Sequence, residues 1–279
     1  MEEQTHRLEA AIDYIESHLD GKVDLETVAD AVHYSKYHLH RLFTKTLGMT
    51  LHDYVQRRQL TEAAKLLVFS DKPIMEIALI CGYESQQAFS GVFKAMYKMP
   101  PAQYREHRVF YPLQLRFALH PNAAKTALTQ ADIRLARMED IPAWMELMHL
   151  VIDGYPVMNE ADYLEHLLRA IEERQALVLR ADGILAGVMM FSKESGSIDF
   201  LGVHPQYRRL GIHKLFLHAL METHLPGRKI CMTTYREGDK ADTGHRALLK
   251  QLGFAERELL VEFGYPTQRF VLDPEKENV

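Results

Sequence analysis

The chain has 279 residues, of which 47% are hydrophobic and 25% are charged, as is typical of globular proteins. This length predicts about two domains, and no apolar run approaches the ~20 residues of a membrane helix. Because the start MEEQTHRLEA is acidic and polar, we expect that it is not a secretory signal. Only two cysteines, Cys81 and Cys231, occur, and they form no CxxC pair. We therefore expect a cytoplasmic protein with no disulfide and no membrane partner.

Charge is distributed unevenly along the chain. The formal net charge of −5 argues against nucleic acid as a partner if it is taken as an average. Residues 31–110, however, carry eleven Lys and Arg against six Asp and Glu, a net charge of +5. Since phosphate binding depends on the local field, this segment stays a candidate for DNA binding.

The first half of the chain has helical apolar spacing from Thr5 to about Arg108. Apolar stripes predict two early helices around residues 8–15 and 25–32, and then four more at 35–47, 51–68, 74–81 and 85–97. The stops are predicted at glycines and at a proline pair, namely Gly21, Gly48, Gly82 and Pro100-Pro101.

Two of these helices repeat one pattern fifty residues apart. YSKYHLHRLFTK begins at Tyr34 and YESQQAFSGVFK begins at Tyr83, and each places a serine, Ser35 or Ser85, where an N-cap belongs. Apolar residues recur on one side of each helix, and polar residues such as His40 and Gln86 lie on the other side. A short helix, a turn and a second helix with a polar face is a helix-turn-helix unit, so the sequence predicts two such units.

The polar faces predict contacts with DNA, because Gln can bond adenine and Arg can bond guanine through two hydrogen bonds each. Basic side chains would meet phosphates and set the register. The phosphate candidates are Lys36, Lys45, Arg57, Arg58, Lys94, Lys98 and Arg105. The competing interpretation is that both segments are ordinary amphipathic helices of a bundle with solvated outer faces. The duplicated register, the matched caps and the local positive charge favour DNA binding.

Residues 12–108 resemble the DNA-binding domain of the AraC/XylS family of bacterial transcription regulators. The resemblance runs through LETVADAVHYSKYHLHRLFTKTLGMTLHDYVQRRQLTEAAKLL and IMEIALICGYESQQAFSGVFKAMYKMPPAQYR. It is strongest with the monomeric multiple-antibiotic-resistance type, on YSKYHLHRLF and ESQQ. The resemblance implies recognition positions at Tyr37, His40, Arg41, Gln86, Gln87 and Ser90. Gly91 departs from these relatives, which usually have an arginine there.

After Pro112 the periodicity changes, and LHPNAAKTALTQ (119–130) is typical of a linker. Strands are predicted at 133–138, 176–191 as a hairpin about Ala-Asp-Gly, 198–203, 229–234, 254–263 and 269–272. Helices are predicted after Asp140-Ile-Pro, from Asn159 to Arg174, and at 211–224 and 243–252. This order predicts an α+β domain with a mixed sheet.

The stretch LGVHPQYRRLGIHKLFLHAL (201–220) ends a strand, supplies Arg208 and Arg209, and turns at Gly211 into an amphipathic helix. Free amides and the positive dipole end at a helix start suit a pyrophosphate. A plain strand-turn-helix connection with solvated arginines is the alternative. Fifteen histidines are present, but the ligand spacing of a metal site is absent, so no metal is expected.

This stretch resembles the acetyl-CoA site of GNAT acyltransferases, whose pattern is [QR]-x-x-G-x-[GA]. Arg208 and Gly211 match, whereas His213 stands at the last small position. The order of elements from Ile133 to Leu272 and the segment HRALLKQLGF (245–254) also resemble that family. The resemblance implies that strand 198–203 splays from its neighbour and that acetyl-CoA is held by Leu201, Val203, Arg208, Arg209, Gly211, Ile212, His213 and Lys214.

The resemblance also implies transfer of an acyl group to an amine, which needs a base and an acid. The family often has a tyrosine four residues before the Gly of the Gly-Phe pair, and this chain has Leu249 there. Other groups would then have to act, and the candidates are Asp199, His245 and Tyr265, none of which is favoured by its own sequence context.

The sequence thus predicts a two-domain chain. An all-α double helix-turn-helix DNA-binding domain at 1–110 is followed by a linker at 111–130 and a GNAT-like α+β domain at 131–279. Three functions stay open: a regulator whose second domain senses acyl-CoA or another ligand, an N-acetyltransferase of a small amine or protein that also binds DNA, and a GNAT-shaped assembly domain. The expected partners are double-stranded DNA, acyl-CoA, a small amine or effector, and RNA polymerase.

Overall fold

The computed structural model describes residues 2–120, 128–151, 159–262 and 264–274. The chain divides into two compact units. Among the described residues, the first unit comprises 2–120, and the second comprises 128–151, 159–262 and 264–274. Part of the predicted linker, 121–127, and the last five residues of the predicted second domain lie outside the described residues.

The first unit is all helical in the residues described. Its helices are α1 (Glu2–Glu16), α2 (Leu25–Ala31), α3 (Lys36–Leu47), α4 (Leu51–Phe69), α5 (Ile74–Ile80), α6 (Gln86–Tyr97) and α7 (Pro101–His107). The six helices predicted from apolar spacing are confirmed, with ends that differ by a few residues. The seventh helix, α7, was not predicted as a separate element.

Side-chain caps fix where α3 and α6 begin. Ser35 Oγ accepts a hydrogen bond from the amide of His38 at 3.3 Å, and Ser85 Oγ accepts one from the amide of Ala88 at 3.2 Å. Both predicted caps are therefore confirmed. Helix α3 ends at Gly48, whose φ of 76° is left-handed, as predicted for a glycine stop.

The Pro100-Pro101 pair does more than stop a helix. Pro101 is the first residue of α7, where a missing amide costs nothing because the first amides of a helix have no partner within it. Lys98, with φ 62°, is the residue that ends α6. In the sequence the pair signals only a helix stop, so the helix that begins at Pro101 was not predicted.

Helix α4 is the centre of the first unit. It buries residues on every side, among them Tyr54, Leu60 and Ala64. Residues 111–120, which the sequence analysis places in the linker, pack on this unit: Leu113 and Phe117 are buried, and the amide of Leu113 donates to Thr61 Oγ1 at 3.1 Å. The irregular segment after α7 is therefore part of the core of the first unit.

The second unit contains helices on both sides of a divided sheet. Its elements are β1 (Ile133–Leu135), α8 (Ile141–Val151), α9 (Glu160–Glu172), β2 (Ala176–Ala181), β3 (Ile184–Phe191), β4 (Ile198–Val203), α10 (Ile212–Ala219), β5 (Ile230–Tyr235), α11 (His245–Gln251), β6 (Ala255–Glu262) and β7 (Tyr265–Leu272). The predicted order of elements is confirmed. Asn159 caps α9 by accepting from the amide of Ala161, and β2 and β3 form the predicted hairpin.

The strands form two antiparallel sheets, one in the order β1-β2-β3-β4 and the other in the order β5-β7-β6. A single parallel bridge, Ser197 to Cys231, links the start of β4 to the start of β5 in the described residues. Beyond that bridge the two strands have no ladder between them. The predicted splay of the strand 198–203 is thus present, and we call the space that it leaves the β4–β5 opening.

A glycine on β3 sets the position of α10. A Cβ at Gly187 would lie 2.7 Å from the ring of Phe216 and 2.8 Å from Ile212. Both contacts are with α10, so a larger residue at 187 would push the helix away from the sheet. Among the described helices of both units, none combines the length and the apolar character needed to cross a membrane.

Candidate functional site

The first candidate surface is the polar side of α3. Tyr37 is 80% exposed, and Lys36, His40, Arg41 and Lys45 are exposed as well. On the opposite side Leu39 and Phe43 are buried, and they hold the helix in the core. No acidic residue lies in the first turn of α3. The helix therefore presents a polar and positively charged face to solvent.

Helix α6 repeats this arrangement. Gln86, Gln87 and Lys94 are exposed, Ser90 is half-buried, and Phe89 and Phe93 anchor the helix from the other side. Gly91 lies on the exposed side, and nothing lies within 4 Å of the position that a Cβ would take there. The residues predicted for base contacts on the two helices are thus accessible to a partner.

Two of the predicted phosphate contacts are wrong. Arg57 is 2% exposed and Arg58 is 7% exposed, because both lie on sides of α4 that are buried in the first unit. The guanidinium of Arg58 donates to both carboxylate oxygens of Glu16, at 2.8 and 2.7 Å, and to Glu62 at 3.0 Å. Arg58 therefore joins α4 to α1, and the side chains of both arginines are enclosed within the first unit.

Two further basic residues are also engaged within the first unit. Lys98 Nζ donates to the carbonyl of Ala95 at 2.9 Å, and Arg105 donates to the carbonyl of Lys72 at 2.6 Å. Both side chains are half-buried. The exposed basic residues that remain from the predicted set are Lys36, Lys45 and Lys94.

The second candidate site is the β4–β5 opening. Strand β4 pairs with β3 on one side, with Leu201 opposite Met189 and Val203 opposite Gly187. Its other edge faces the opening. The backbone groups of Leu201 to Val203 on that edge are the ones for which the sequence predicts contacts with a pantetheine arm. Val203 is buried and Leu201 is half-buried.

A turn of 3-10 helix, Pro205–Leu210, joins the end of β4 to α10. Tyr207 is fully buried and donates from its hydroxyl to Asp182 at 3.1 Å, which ties the turn to the β2–β3 hairpin. Arg208 is half-buried and Arg209 is exposed. Gly211, with φ 74° and ψ 14°, completes the turn in the left-handed region.

The start of α10 offers free amides. The first helical hydrogen bond runs from the amide of Leu215 to the carbonyl of Gly211, so the amides of Ile212, His213 and Lys214 precede it. Nothing lies within 4 Å of the position that a Cβ would take at Gly211. The space, the amides and the nearby arginines fit a pyrophosphate, with the positive end of the helix dipole behind them.

His213 is the departure from the family pattern in this turn. Burial lowers the pKa of His213 to about 3, and the neighbouring Arg208 and His245 act in the same direction. The ring is therefore neutral at physiological pH and adds no charge to the pyrophosphate position. His245 begins α11 and lies beside Tyr235, with ring centroids 6.3 Å apart.

The three candidate catalytic residues have different surroundings. Asp199 is exposed on a bulge of β4, accepts from Ser197 Oγ at 2.5 Å, and has His166 Nε2 3.6 Å from its second oxygen. His245 is half-buried, and Tyr265 is 8% exposed at the start of β7. Leu249, at the position where the family often has tyrosine, is 3% exposed.

Sequence reasoning missed two residues near these sites. His166 lies on α9, thirty-three residues before its partner Asp199, and no local pattern relates the two. Gly187 could have been found, since an isolated glycine within the apolar run ILAGVMMF signals a close approach of another element. Within the described residues, no group of three His, Cys, Asp or Glu is arranged to hold a metal ion.

Comparison with known proteins separates the two units in the same way. A helix-turn-helix domain model matches residues 28–107, and the model of the acetyltransferase (GNAT) family matches residues 144–254. The multiple antibiotic resistance protein MarA of Escherichia coli (strain K12) is 38% identical over 112 residues, which cover 38% of this chain and 88% of MarA. The chain belongs to the AraC/XylS family.

A second relative matches over a smaller share of its length, and the chain spans only about a third of it. The uncharacterized HTH-type transcriptional regulator YbfP of Bacillus subtilis (strain 168) is 42% identical over 98 residues, which cover 35% of this chain and 33% of YbfP. For the second unit, the crystal structure of a GNAT-family acetyltransferase from Bacillus cereus ATCC 10987 is 16% identical and covers 50% of this chain and 95% of that one, with a TM-score of 0.40. The two family models, and not this structural similarity, show that the chain carries an AraC-type DNA-binding regulator domain followed by a GNAT-family domain.

Proposed function

We propose that the protein is a sequence-specific transcription regulator that reads DNA with α3 and α6 and binds an acyl-CoA in its GNAT-family domain. One observation carries the proposal. Two serine-capped helices, fifty residues apart in the chain, hold their apolar sides in the core and present exposed polar faces at matching positions. Each helix thus has the exposed polar face that a recognition helix needs in order to contact bases in the major groove.

On DNA, each exposed residue has a role that follows from its chemistry. His40, Arg41, Gln86 and Gln87 are suited to base edges, with arginine reading guanine and glutamine reading adenine. Lys36, Lys45 and Lys94 are suited to phosphates, which fix the register without reading the sequence. Tyr37 and Ser90 lie on the same faces and complete the contact surface.

The test of DNA reading compares two variants of the same helix on a duplex selected from a random pool. We expect Arg41→Ala to weaken binding by about 1–3 kcal/mol at one base position and to relax the preference there. Lys45→Ala, the matched control, should weaken all sequences alike and reduce the salt dependence. If Arg41→Ala leaves the base preference unchanged, α3 does not read the groove as we propose.

The acyl-CoA proposal is supported by the fit of the turn at the start of α10. The amides of Ile212, His213 and Lys214, with Arg208 and Arg209, would hold the pyrophosphate, and the free edge of β4 at Leu201 and Val203 would bond the pantetheine arm. Bound acyl-CoA would supply a thioester that an amine can attack. The residues of the chain hold and orient this molecule beside β4.

Calorimetric titration with acetyl-CoA tests this site. We expect the wild-type chain to bind and Arg208→Gln to bind at least tenfold more weakly, because one charge beside the pyrophosphate is lost. Lys240→Gln, which removes an exposed charge from the loop before α11, is the control and should bind like the wild type. Absence of binding to the wild-type chain would remove acyl-CoA from the proposal and leave the DNA reading intact.

A sensor is favoured over an N-acetyltransferase by one observation. Leu249, an apolar and buried side chain, stands where many GNAT enzymes place the tyrosine that protonates the departing thiolate. An enzyme would then depend on Asp199, His245 or Tyr265. Release of free thiol from acetyl-CoA across a panel of small amines decides between the two: binding without release supports the sensor, and release that His245→Ala abolishes supports the enzyme.

A further inference from the structure

A cleft of about 580 Å³ lies along α10 in the second unit. One wall is formed by α10 and by the turn of π-helix, Leu220–His224, that continues it. The other wall is formed by Gln251, the last residue of α11, and by Leu252 and Gly253 after it, together with Gly227, Arg228 and Pro274. We call this space the α10–α11 cleft. Its volume is within the range of small-molecule sites, which is 300–1,000 Å³.

The floor of the α10–α11 cleft is apolar. Leu217 of α10, Met221 of the turn of π-helix and Leu225, the residue after that turn, recur at intervals of four residues and form an apolar stripe along the cleft, in which Leu217 and Leu225 are only 6% and 2% exposed. Leu252, the residue after α11, adds apolar surface from the other wall. Met221 is half-buried, and its flexible side chain is the part of the floor that can adapt to a ligand.

Positive charge borders this floor. Lys214 is exposed in the first turn of α10, where the helix dipole is also positive. Arg228 donates to the backbone carbonyls of Lys193 and Glu194, which are uncharged acceptors, so its charge is not cancelled by a carboxylate through these bonds.

The one acidic residue among the described residues that line the cleft is already engaged. Glu222 accepts from Gln130 Nε2 at 3.1 Å, and its other oxygen lies 3.2 Å from His218 Nε2. An anion in the cleft would therefore be surrounded by more positive than negative charge. The positive charge lies at the end of the apolar stripe.

We propose that the α10–α11 cleft binds a small amphipathic carboxylate. The carboxylate lies at Lys214, and an apolar chain or ring of about eight carbons lies along Leu217, Met221 and Leu252. This site is additional to the β4–β5 opening, and it does not depend on acyl-CoA binding. Lys214 lines the cleft and also belongs to the first turn of α10, so the decisive variants are chosen at Met221.

Octanoate is the probe, and its binding to the full chain is measured by ligand-observed NMR titration. Ten non-hydrogen atoms at ordinary ligand efficiency give an expected Kd on the order of 1 mM. We expect Met221→Leu to bind within about twofold of the wild type, because the floor stays apolar. Met221→Glu should bind at least tenfold more weakly, because its carboxylate repels the ligand and removes apolar contact. Octylammonium, with the same chain and the opposite charge, should also bind at least tenfold more weakly than octanoate.

Three outcomes would overturn the proposal: no octanoate binding in the millimolar range, equal binding to Met221→Glu and to the wild type, or octylammonium binding as tight as that of octanoate. Circular dichroism and the thermal midpoint of Met221→Glu establish that the variant is folded.

A second pair of variants, Lys214→Arg and Lys214→Gln, tests the role of the positive charge. Lys214→Arg should keep the octanoate affinity, and Lys214→Gln should lower it several-fold. A coenzyme A titration of Met221→Glu, expected to match the wild type, keeps this result separate from the acyl-CoA proposal.

Discussion

Asp140 is a buried carboxylate that fixes the start of α8. Both of its oxygens accept from Arg134 at 2.7 Å, and it also accepts from Arg180 at 3.1 Å and from the amide of Arg137 at 3.0 Å. Burial alone would raise the pKa of Asp140, but these hydrogen bonds outweigh it and lower the pKa from 3.8 to about 2. The folded state therefore favours the charged form more than the unfolded chain does.

The second unit should consequently lose stability in acid. The contribution of Asp140 is complete above pH 3.8 and is lost as the pH falls toward 2; it amounts to about 2 kcal/mol. We expect Asp140→Asn to lower the free energy of unfolding by about this amount at pH 7, and the difference from the wild type to shrink below about pH 4. Trp144, the one tryptophan of the chain, is fully buried in α8 and reports this unfolding by fluorescence. Glu139→Gln, at an exposed neighbour, is the control and should have little effect at either pH.

Arg58 has the corresponding role in the first unit. Its guanidinium joins α4 to Glu16 of α1 and to the carbonyl of Gln114, and Tyr54 donates to the same Glu16. We expect Arg58→Ala to destabilise the first unit by about 3 kcal/mol, since a half-buried carboxylate is left without its partner. Urea unfolding followed by circular dichroism measures this loss. Lys65→Ala, at an exposed position of α4, should change the free energy of unfolding by less than about 0.5 kcal/mol.

Helix α6 carries a glycine, Gly91, in its interior, and we expect its replacement by alanine to raise the free energy of unfolding. Gly91 is exposed, and a Cβ there would meet nothing within 4 Å, so Gly91→Ala should stabilise the first unit by about 1 kcal/mol. Gly82→Ala is the matched opposite. Gly82 has φ +78°, and a Cβ there would lie 2.9 Å from the carbonyl oxygen of Gly21, so this change should destabilise. Urea unfolding measures the change in the free energy of unfolding for each variant. Changes of the same sign would contradict the geometry described for these two glycines.

A different substitution at Gly91 is expected to change the affinity for DNA. Gly91→Arg adds a cation to the exposed face of α6, between Gln87 and Lys94, and it should tighten DNA binding and steepen its salt dependence. Gly91→Ala separates the gain in helix stability from the gain in charge. DNA affinity measured at two salt concentrations gives the answer, and no change for Gly91→Arg would place this face of α6 away from the duplex.

What the sequence could predict differs from element to element for physical reasons. Helices α3 and α6 were predicted with their caps, because a serine at the N-cap and apolar residues at helical spacing are local signals. The burial of Arg58 could not be predicted, because its partner Glu16 lies 42 residues away and basic residues are usually exposed. The contact of His166 with Asp199 is non-local in the same way. The order of the second unit was predictable because its strands and helices alternate with clear turn signals. The extent of β7 was not, since Pro266 near its start argues against a strand there.

For the whole molecule, the sensor proposal requires that acyl-CoA and DNA influence each other. If acetyl-CoA changes the affinity for DNA, then DNA must change the affinity for acetyl-CoA by the same factor, typically 5–150-fold for a coupled pair of sites. Fluorescence anisotropy of labelled DNA with and without acetyl-CoA measures one side, and calorimetry with and without DNA measures the other. Binding of each ligand without coupling would support a DNA-binding enzyme and contradict the sensor.

The single bridge between Ser197 and Cys231 has a consequence for amide hydrogen exchange. Beyond that bridge the facing edges of β4 and β5 lack strand partners in the described residues, so their outward amides should exchange with solvent deuterium far faster than the amides of β3, which is bonded on both sides. A molecule bound there would take the place of a strand between β4 and β5. Its binding would slow deuterium uptake only at the facing edges of these two strands.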